Sequence, residues 1–466
     1  MKLRNLFLTT AVCAGLFTAC SNELDNVIEN NGPDAANKEA FMQINFAMPA
    51  NGGASARAGE QTEAGTDAER GITSVALIIT DANLKITDKV TLNSADFSPV
   101  GTTGGQPGAN NLYYYSSNKA IAVKKQDGAK VYVYVNPNAT INALAVDGTL
   151  DEQASFTEDD NNLTGTNRIA ANNNFFMSNL NGTAVSANIN GTKANPTKVE
   201  VTVERVVAKL VESTKKEAFT VPGNGGYNTE LAITIKEFGY YNLNKSSYIL
   251  QQFETVGSDK YTKDLNFNAA AAIYANAFFN PNTSTDFTQY RQTVNGTDLT
   301  TYCLENTDVA ANQWTDKTIG VIYKAVATWG GSTTAKTFYI YAHKVYLEWA
   351  TLKTDFEKAG SQTLAGAENT YTYESLKALG ITKYTNGECY YRVAIKHNVQ
   401  TTVSELKAME YAVVRNNVYK MKVNSVSGLG EPVIPTDPEP DKKQDANIDL
   451  TVNVQPWTVR DSGFDL

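Results

Sequence analysis

The sequence predicts a mostly β protein of two or three domains, and three observations carry that expectation. The chain has 466 residues, enough for several sizeable cores. Tyrosine is abundant, at 24 residues, beside threonine-rich stretches that suit pleated, half-buried surfaces. Short runs alternate apolar and polar residues, which puts every second side chain on one face of a strand.

The first such run is Phe41 to Met48, where Met42, Ile44, Phe46 and Met48 face one way and Pro49 stops the strand. Before it lies a short apolar segment, Leu6 to Phe17, behind Lys2 and Arg4, too short to span a membrane. It ends in Leu16-Phe17-Thr18-Ala19-Cys20, which resembles a bacterial lipobox with Phe17 where leucine is usual. Cys20 is then expected to carry lipid, and Ser21-Asn22-Glu23-Leu24-Asp25 resembles an acidic surface-export tag. Glu23 to Glu39 reads as a polar, flexible leader. Ala50 to Glu69 is a small-residue loop holding one cation, Arg57, and ending at Arg70. Such loops enter protease clefts readily, so the Arg57–Ala58 bond is the expected cut and Arg70–Gly71 the alternative.

Ile72 to Thr80 and Val131 to Val135 read as buried strands of a sandwich core, with Asn138 capping a short helix through Val146. Phe175 to Asn179 is a short apolar patch, and Val199 to Val211 one long strand with a domain boundary near Arg205. Leu231 to Phe238 alternates as a strand, and Asn266 to Thr301 reads as an extended loop. Ile319 to Thr328 and Thr337 to Val345 read as a hairpin about Gly330-Gly331. A helix is expected over Glu374 to Leu379, stopped by Gly380. Cys389 to Ile395 and Asn417 to Val426 are the last strands before EPVIPTDPEPDKKQD, a run with four prolines and seven charged residues that cannot build a core. Beyond this tether Ile448, Leu450, Val452 and Val454 alternate with polar residues, and Pro456-Trp457 closes the run. This final strand is expected to leave its own domain and reach a neighbour.

The net charge of −9, with no basic stripe, argues against nucleic acid as a partner. Cys303 and Cys389 make either one disulfide or two buried thiols, and their spacing matches no zinc site. His343 and His397 are the two histidines, both expected to be structural. No dinucleotide, phosphate-loop, nucleophile-elbow or metalloprotease spacing occurs, so no enzyme activity, catalytic residue, metal or cofactor is expected. The tyrosines at Tyr113–Tyr115 and Tyr390-Tyr391 suit core and edge packing better than a sugar platform.

These features together resemble the fimbrillins, the major fimbrial subunits of type V pili, in particular the Mfa-type branch. The resemblance rests on Cys20, the strand followed by Arg57, Val203 to Lys209, Tyr302 to Thr307, Arg415-Asn416-Asn417-Val418-Tyr419 and the tethered final strand. It implies an all-β fold of two transthyretin-like β-sandwich domains in tandem with a few short helices. The corresponding divisions are a signal peptide (1–19), a propeptide with leader strand (20–57), an N-terminal sandwich (58–205), a C-terminal sandwich (206–430) and a tether with donor strand (431–466). The implied function is a pilin, exported as an outer-membrane lipoprotein precursor and polymerised on the cell surface by protease-triggered donor-strand exchange. Expected partners are identical subunits head to tail, accessory tip and anchor subunits, an Arg-specific protease, and host or bacterial surface receptors. The alternatives are a tip or anchor accessory subunit, or a surface glycan-binding lipoprotein.

Overall fold

The computed structural model describes residues 27–28, 38–48, 63–100, 113–159, 163–164, 168–223, 227–269, 277–279, 291–313, 317–329, 331–360, 363–397, 408–434 and 447–458. Cys20, Arg57 and Ala58 lie outside them. The fold is all-β with a few short helices.

Strand β1 (Ala40–Met48) is internal to the first sheet system. After it come the short strand β2 (Glu63–Ala64) and helix α1 (Asp67–Arg70). The sheet system continues with β3 (Ser74–Thr80), β4 (Ile86–Asn93), β5 (Tyr113–Ser117), β6 (Ala120–Val123), β7 (Gln126–Val135), β8 (Met177–Asn179) and β9 (Thr197–Arg205). On one edge β1 runs parallel to β9; on the other it runs antiparallel to β5 and β6. From β9 the order continues β8, β7, β3, β4, and the two halves shed side chains into one core. Val75 to Ile79 and Val131 to Val135 are buried throughout, as continuous apolar runs require. Asn138 does cap a helix, α2 (Ala139–Asn142), by accepting the Ile141 N–H; that helix ends at Asn142, short of Val146.

The long strand expected over Val199 to Val211 is instead two. β9 ends at Arg205 and β10 (Ala208–Glu212) begins a second core, with Val206 and Val207 buried in the first. One sheet of the second core runs Leu299–Cys303, β10, β11 (Asn417–Val426), β12 (Ile448–Thr458) and β2. The other runs Ala218–Val221, Leu231–Tyr241, Gly320–Trp329 and Glu388–Ala394.

The hairpin expected about Gly330-Gly331 does not form. Gly320–Trp329 pairs with Leu231–Tyr241 and Glu388–Ala394, while Phe338–Tyr341 pairs with Lys344–Tyr346 and Thr382–Tyr384. Both edges of Gly320–Trp329 are already occupied, so the following strand turns away into a small third unit. Its core of Tyr339, Tyr346, Leu352, Phe356, Leu364, Leu376 and Ile381 is built on helices α3 (Trp349–Lys358) and α4 (Tyr373–Ala378). Helix α4 stops where glycine was expected to stop it, with Gly380 at φ +73°. His343, expected in a strand, sits in the exposed tight turn between Tyr341 and Lys344 at φ +61°. His397 is buried and shares a 2.8 Å hydrogen bond between Nδ1 and the Tyr419 hydroxyl. Cys303 and Cys389 are free, buried thiols, and burial pushes the Cys389 thiol up to about 11.

Phe338 joins the third unit to the second core, stacking on Tyr384 at 4.8 Å and meeting Trp329 edge-on at 5.4 Å. Phe338→Ala is expected to cost about 3–5 kcal/mol by leaving a cavity there. Chemical denaturation followed by tryptophan fluorescence checks this.

Candidate assembly site

Three parts of the molecule bear on the expectations about assembly: the strand Ala40–Met48, the C-terminal strand and the junction between the cores. In the leader strand Met42, Ile44, Phe46 and Met48 are each no more than 1% exposed. Burying four such side chains stabilises the strand's seat by about 6–12 kcal/mol before ordering costs. Phe46 stacks on Tyr115 at 5.3 Å and meets Phe97 edge-on at 5.1 Å. Polar residues of the strand are also answered. Gln43 Nε2 donates to Ser116 Oγ (3.0 Å) and the Ser117 carbonyl (3.1 Å), and Ser116 Oγ donates to Asn45 Oδ1 (2.7 Å). Phe41 N–H donates to the Gly191 carbonyl at 2.9 Å, and a Cβ at Gly191 would lie 2.7 Å from the Phe41 oxygen. Only glycine lets the backbones come that close. The packing reading of Tyr115 and Tyr391 holds: the latter is buried and donates to the Gly428 carbonyl at 2.8 Å.

The expectation that the C-terminal strand has no place in its own fold is corrected. β12 runs antiparallel to β11 from Val426↔Ile448 to Asn417↔Pro456, with a register shift between Val423 and Ser425. Ile448 is buried, and Leu450 and Val452 pack half-buried against the second core. The side chains of Val454 and Trp457 lie outside the described residues, although the backbone at Trp457 and Thr458 pairs in parallel with Glu63 and Ala64. The reason is topological: β11 ends 21 positions before Asn447, ample chain for an antiparallel return onto an otherwise open edge.

At the junction, α1 plants Glu69 between the two cores. Thr66 N–H caps the Glu69 carboxylate (2.6 Å), Lys209 Nζ pairs with it (2.8 Å), and the Tyr302 hydroxyl donates to it (2.6 Å). Arg205 Nε donates to the Glu69 carbonyl at 3.0 Å. Burial by itself would raise the Glu69 carboxyl, but Lys209, Tyr302 and Thr66 together hold it below its usual value. Burial pushes the Arg205 guanidinium down to about 10 and the Glu204 carboxyl up to about 8. Nearby Arg415 pairs with Glu305 at 2.7 Å and donates to the carbonyls of Ile249 (3.0 Å) and Tyr248 (2.7 Å). Asn416 stands at φ +56°, a conformation asparagine tolerates better than most residues, and its N–H reaches the Val207 carbonyl. Thus Val203–Lys209, Tyr302–Thr307 and Arg415–Tyr419, separate in sequence, converge on one clamp. Sequence reasoning placed Glu69 at the end of a loop and missed its role. Its available signal was the Thr66-x-x-Glu69 capping box, which the structure forms.

Arg70 is the last residue of α1. Its guanidinium pairs with Asp67, its side chain is 19% exposed, and a Cβ at Gly71 would lie 2.6 Å from the Asn173 Cα.

The geometry defines an all-β protein with an internal N-terminal strand and a C-terminal strand closing a second core. Residues 382–462 match the family described as major fimbrial subunit protein type IV, fimbrillin, C-terminal. Over that region the likeness to fimbrillins expected from the sequence holds. No curated protein matches the chain. Among solved structures, a fimbrilin from Porphyromonas gingivalis is 15% identical, with 91% of this chain and 99% of that one covered and a TM-score of 0.48. A cell adhesion protein from Parabacteroides distasonis is 14% identical, with coverage of 90% and 99% and a TM-score of 0.47. The tip fimbrial protein Mfa3 from Porphyromonas gingivalis is 14% identical, with coverage of 90% and 100% and a TM-score of 0.39.

Because the Glu69 carboxyl is held low, the stability it contributes is present above pH 4.5 and is lost as pH falls through its lowered folded value. Glu69→Gln leaves Lys209 buried without its counter-charge and is expected to cost about 3–5 kcal/mol at pH 7. The loss should shrink in strong acid; thermal unfolding of both proteins across a pH series measures it.

Proposed function

We propose that the chain is a Mfa-type fimbrial stalk subunit that polymerises by exchanging strands. The precursor reaches the outer membrane lipidated at Cys20. An Arg-specific protease cuts after Arg57, the leader strand leaves, and the C-terminal strand of the next copy fills the vacancy. The resulting surface fimbria serves adhesion and biofilm formation, with accessory tip and anchor subunits at its ends.

The observation that carries this reading is the position of β1. An internal strand with four buried apolar side chains lies wholly on the amino-terminal side of Arg57, so one cut separates it from everything else in the core. Its vacancy would be a long apolar trough with backbone donors and acceptors along both sides, the recognition surface for an added strand. The alternation of Ile448, Leu450, Val452 and Val454 matches that of Met42, Ile44, Phe46 and Met48 residue for residue in period. A head-to-tail exchange of this kind is heterologous and open-ended, and so builds a filament. The Arg70–Gly71 bond is a poor cut by comparison. Arg70 is half-buried in a helical turn that the junction clamp holds, whereas a protease needs extended backbone. The two-domain division 58–205 and 206–430 follows the same reading, the chain crossing between cores after Val207.

One observation favours a second reading, a tip or anchor accessory subunit: β12 is seated in its own sheet, as a subunit that donates no strand would hold it. Treating the precursor with an Arg-specific protease, followed by amino-terminal sequencing and electron microscopy, separates the two. The stalk reading expects a new terminus at Ala58 and filaments; a clean cut with no filaments selects the accessory subunit. Arg57→Ala should leave the leader attached and assembly blocked, and normal processing of that variant would move the cut to Arg70. Deleting Asn447–Leu466 uncovers the β11 edge and should leave a subunit that melts at lower temperature and does not polymerise. Fibres of ordinary length from that truncation would refute the donor role.

A further inference from the structure

The seat of the leader strand carries a buried charge as well as an apolar face. Lys38, two residues before β1, pairs its ammonium with the Asp88 carboxylate of β4. The two side chains are 8% and 0% exposed. The second Asp88 oxygen accepts the backbone N–H of Lys124 at 3.2 Å. Among the described residues Lys38 is the cation that Asp88 faces. A carboxylate this deeply buried is tolerable only while a counter-charge stays with it.

Lys38 lies on the leader side of Arg57 and Asp88 on the body side, so the cut proposed above divides the ion pair between two chains. We infer that Asp88 is a charge socket at the end of the strand's seat. It retains the cut leader through Lys38, and it then takes the Lys442 ammonium of a second copy whose C-terminal strand replaces the leader. This inference rests on the strand-exchange reading.

The occupant follows from spacing. Lys38 precedes Ile44 by six residues, and Lys442 precedes Ile448 by six. An even spacing keeps both residues on one face of an extended strand. In that register Ile448, Leu450 and Val452 take the places of Ile44, Phe46 and Met48, and the ammonium arrives where Lys38 left. The assignment requires the incoming strand to run in the leader's direction, which in the precursor is parallel to β9. Sliding it by two residues would set Ile448 in the place of Met42 and bring Gln444 to Asp88. An amide can donate to the carboxylate but cannot neutralise it. The socket therefore selects one register among those that the apolar alternation alone would permit.

The test uses the full precursor cut with an Arg-specific protease. Loss of the leader peptide from the body is followed by size-exclusion chromatography under native conditions. Asp88→Asn, close in shape to the parent, should release the leader at least tenfold faster than wild type. The double variant Lys38→Met, Asp88→Asn leaves neither charge buried alone and should bring release back towards the wild-type rate, which separates loss of the pairing from misfolding. Equal release from wild type and both variants overturns the socket. In filaments, Lys442→Gln should lower the temperature of dissociation in detergent when Asp88 is present and change nothing when Asp88→Asn is present, while Lys442→Arg should behave as wild type. Equal losses in both backgrounds overturn the assignment of Lys442. So does a loss specific to Gln444→Ala. If the wild-type chain is cut and forms no filaments, the strand-exchange reading fails, and the release rates still decide whether Asp88 holds the leader.

Discussion

A strand with neighbours on both edges cannot leave a sheet without orphaning two rows of backbone donors and acceptors. Ala40–Met48 is such a strand, parallel to Thr197–Arg205 on one side and antiparallel to Tyr113–Ser117 and Ala120–Val123 on the other. The first core depends on it, because Met42, Ile44, Phe46 and Met48 fill the space between the sheet halves. Its removal would expose an apolar surface and unpaired backbone together. Those two costs act in the same direction and favour immediate replacement by another strand of matching alternation.

On the strand-exchange reading proposed above, the junction is what would leave the remaining molecule in order. The chain after Ala64 is tied down by Glu69, which answers Lys209 and Tyr302 from the second core while Arg205 holds its carbonyl. Arg415 and Glu305 repeat the arrangement a few residues away. Buried ion pairs add little net stability over apolar packing, but separating their members is expensive. Such pairs fix where the two cores meet and hold α1 between them. The short β2 runs parallel to the end of the C-terminal strand.

Much of this was legible in the sequence, for identifiable reasons. The leader strand and Asn417–Val426 follow from strict alternation, and α4 from a glycine able to adopt positive φ at Gly380. The hairpin about Gly330-Gly331 failed because a turn signal between two strands does not say whether their edges are free, and Gly320–Trp329 had both edges taken. Helix α3 was missed because its buried face is narrow, Leu352 and Phe356 alone, and Glu348 makes no side-chain cap. The clamp was half visible: its charged residues stand out within apolar strands at Val203–Lys209 and Arg415–Tyr419. That Glu69 completes it depends on contacts across more than a hundred residues of chain.

The sequence by itself determined several of the strands, Ala40–Met48, Ser74–Thr80 and Asn417–Val426 among them, and where a protease would find small-residue backbone beside an arginine. Alternation with period two specifies a face and nothing about the neighbour. Tertiary structure alone decided that the leader is internal, that Lys38 finds Asp88, and that Ile448–Thr458 lies against Asn417–Val426 of its own chain. Strand partners are chosen by long-range packing and edge satisfaction, and those are properties of the assembled sheets.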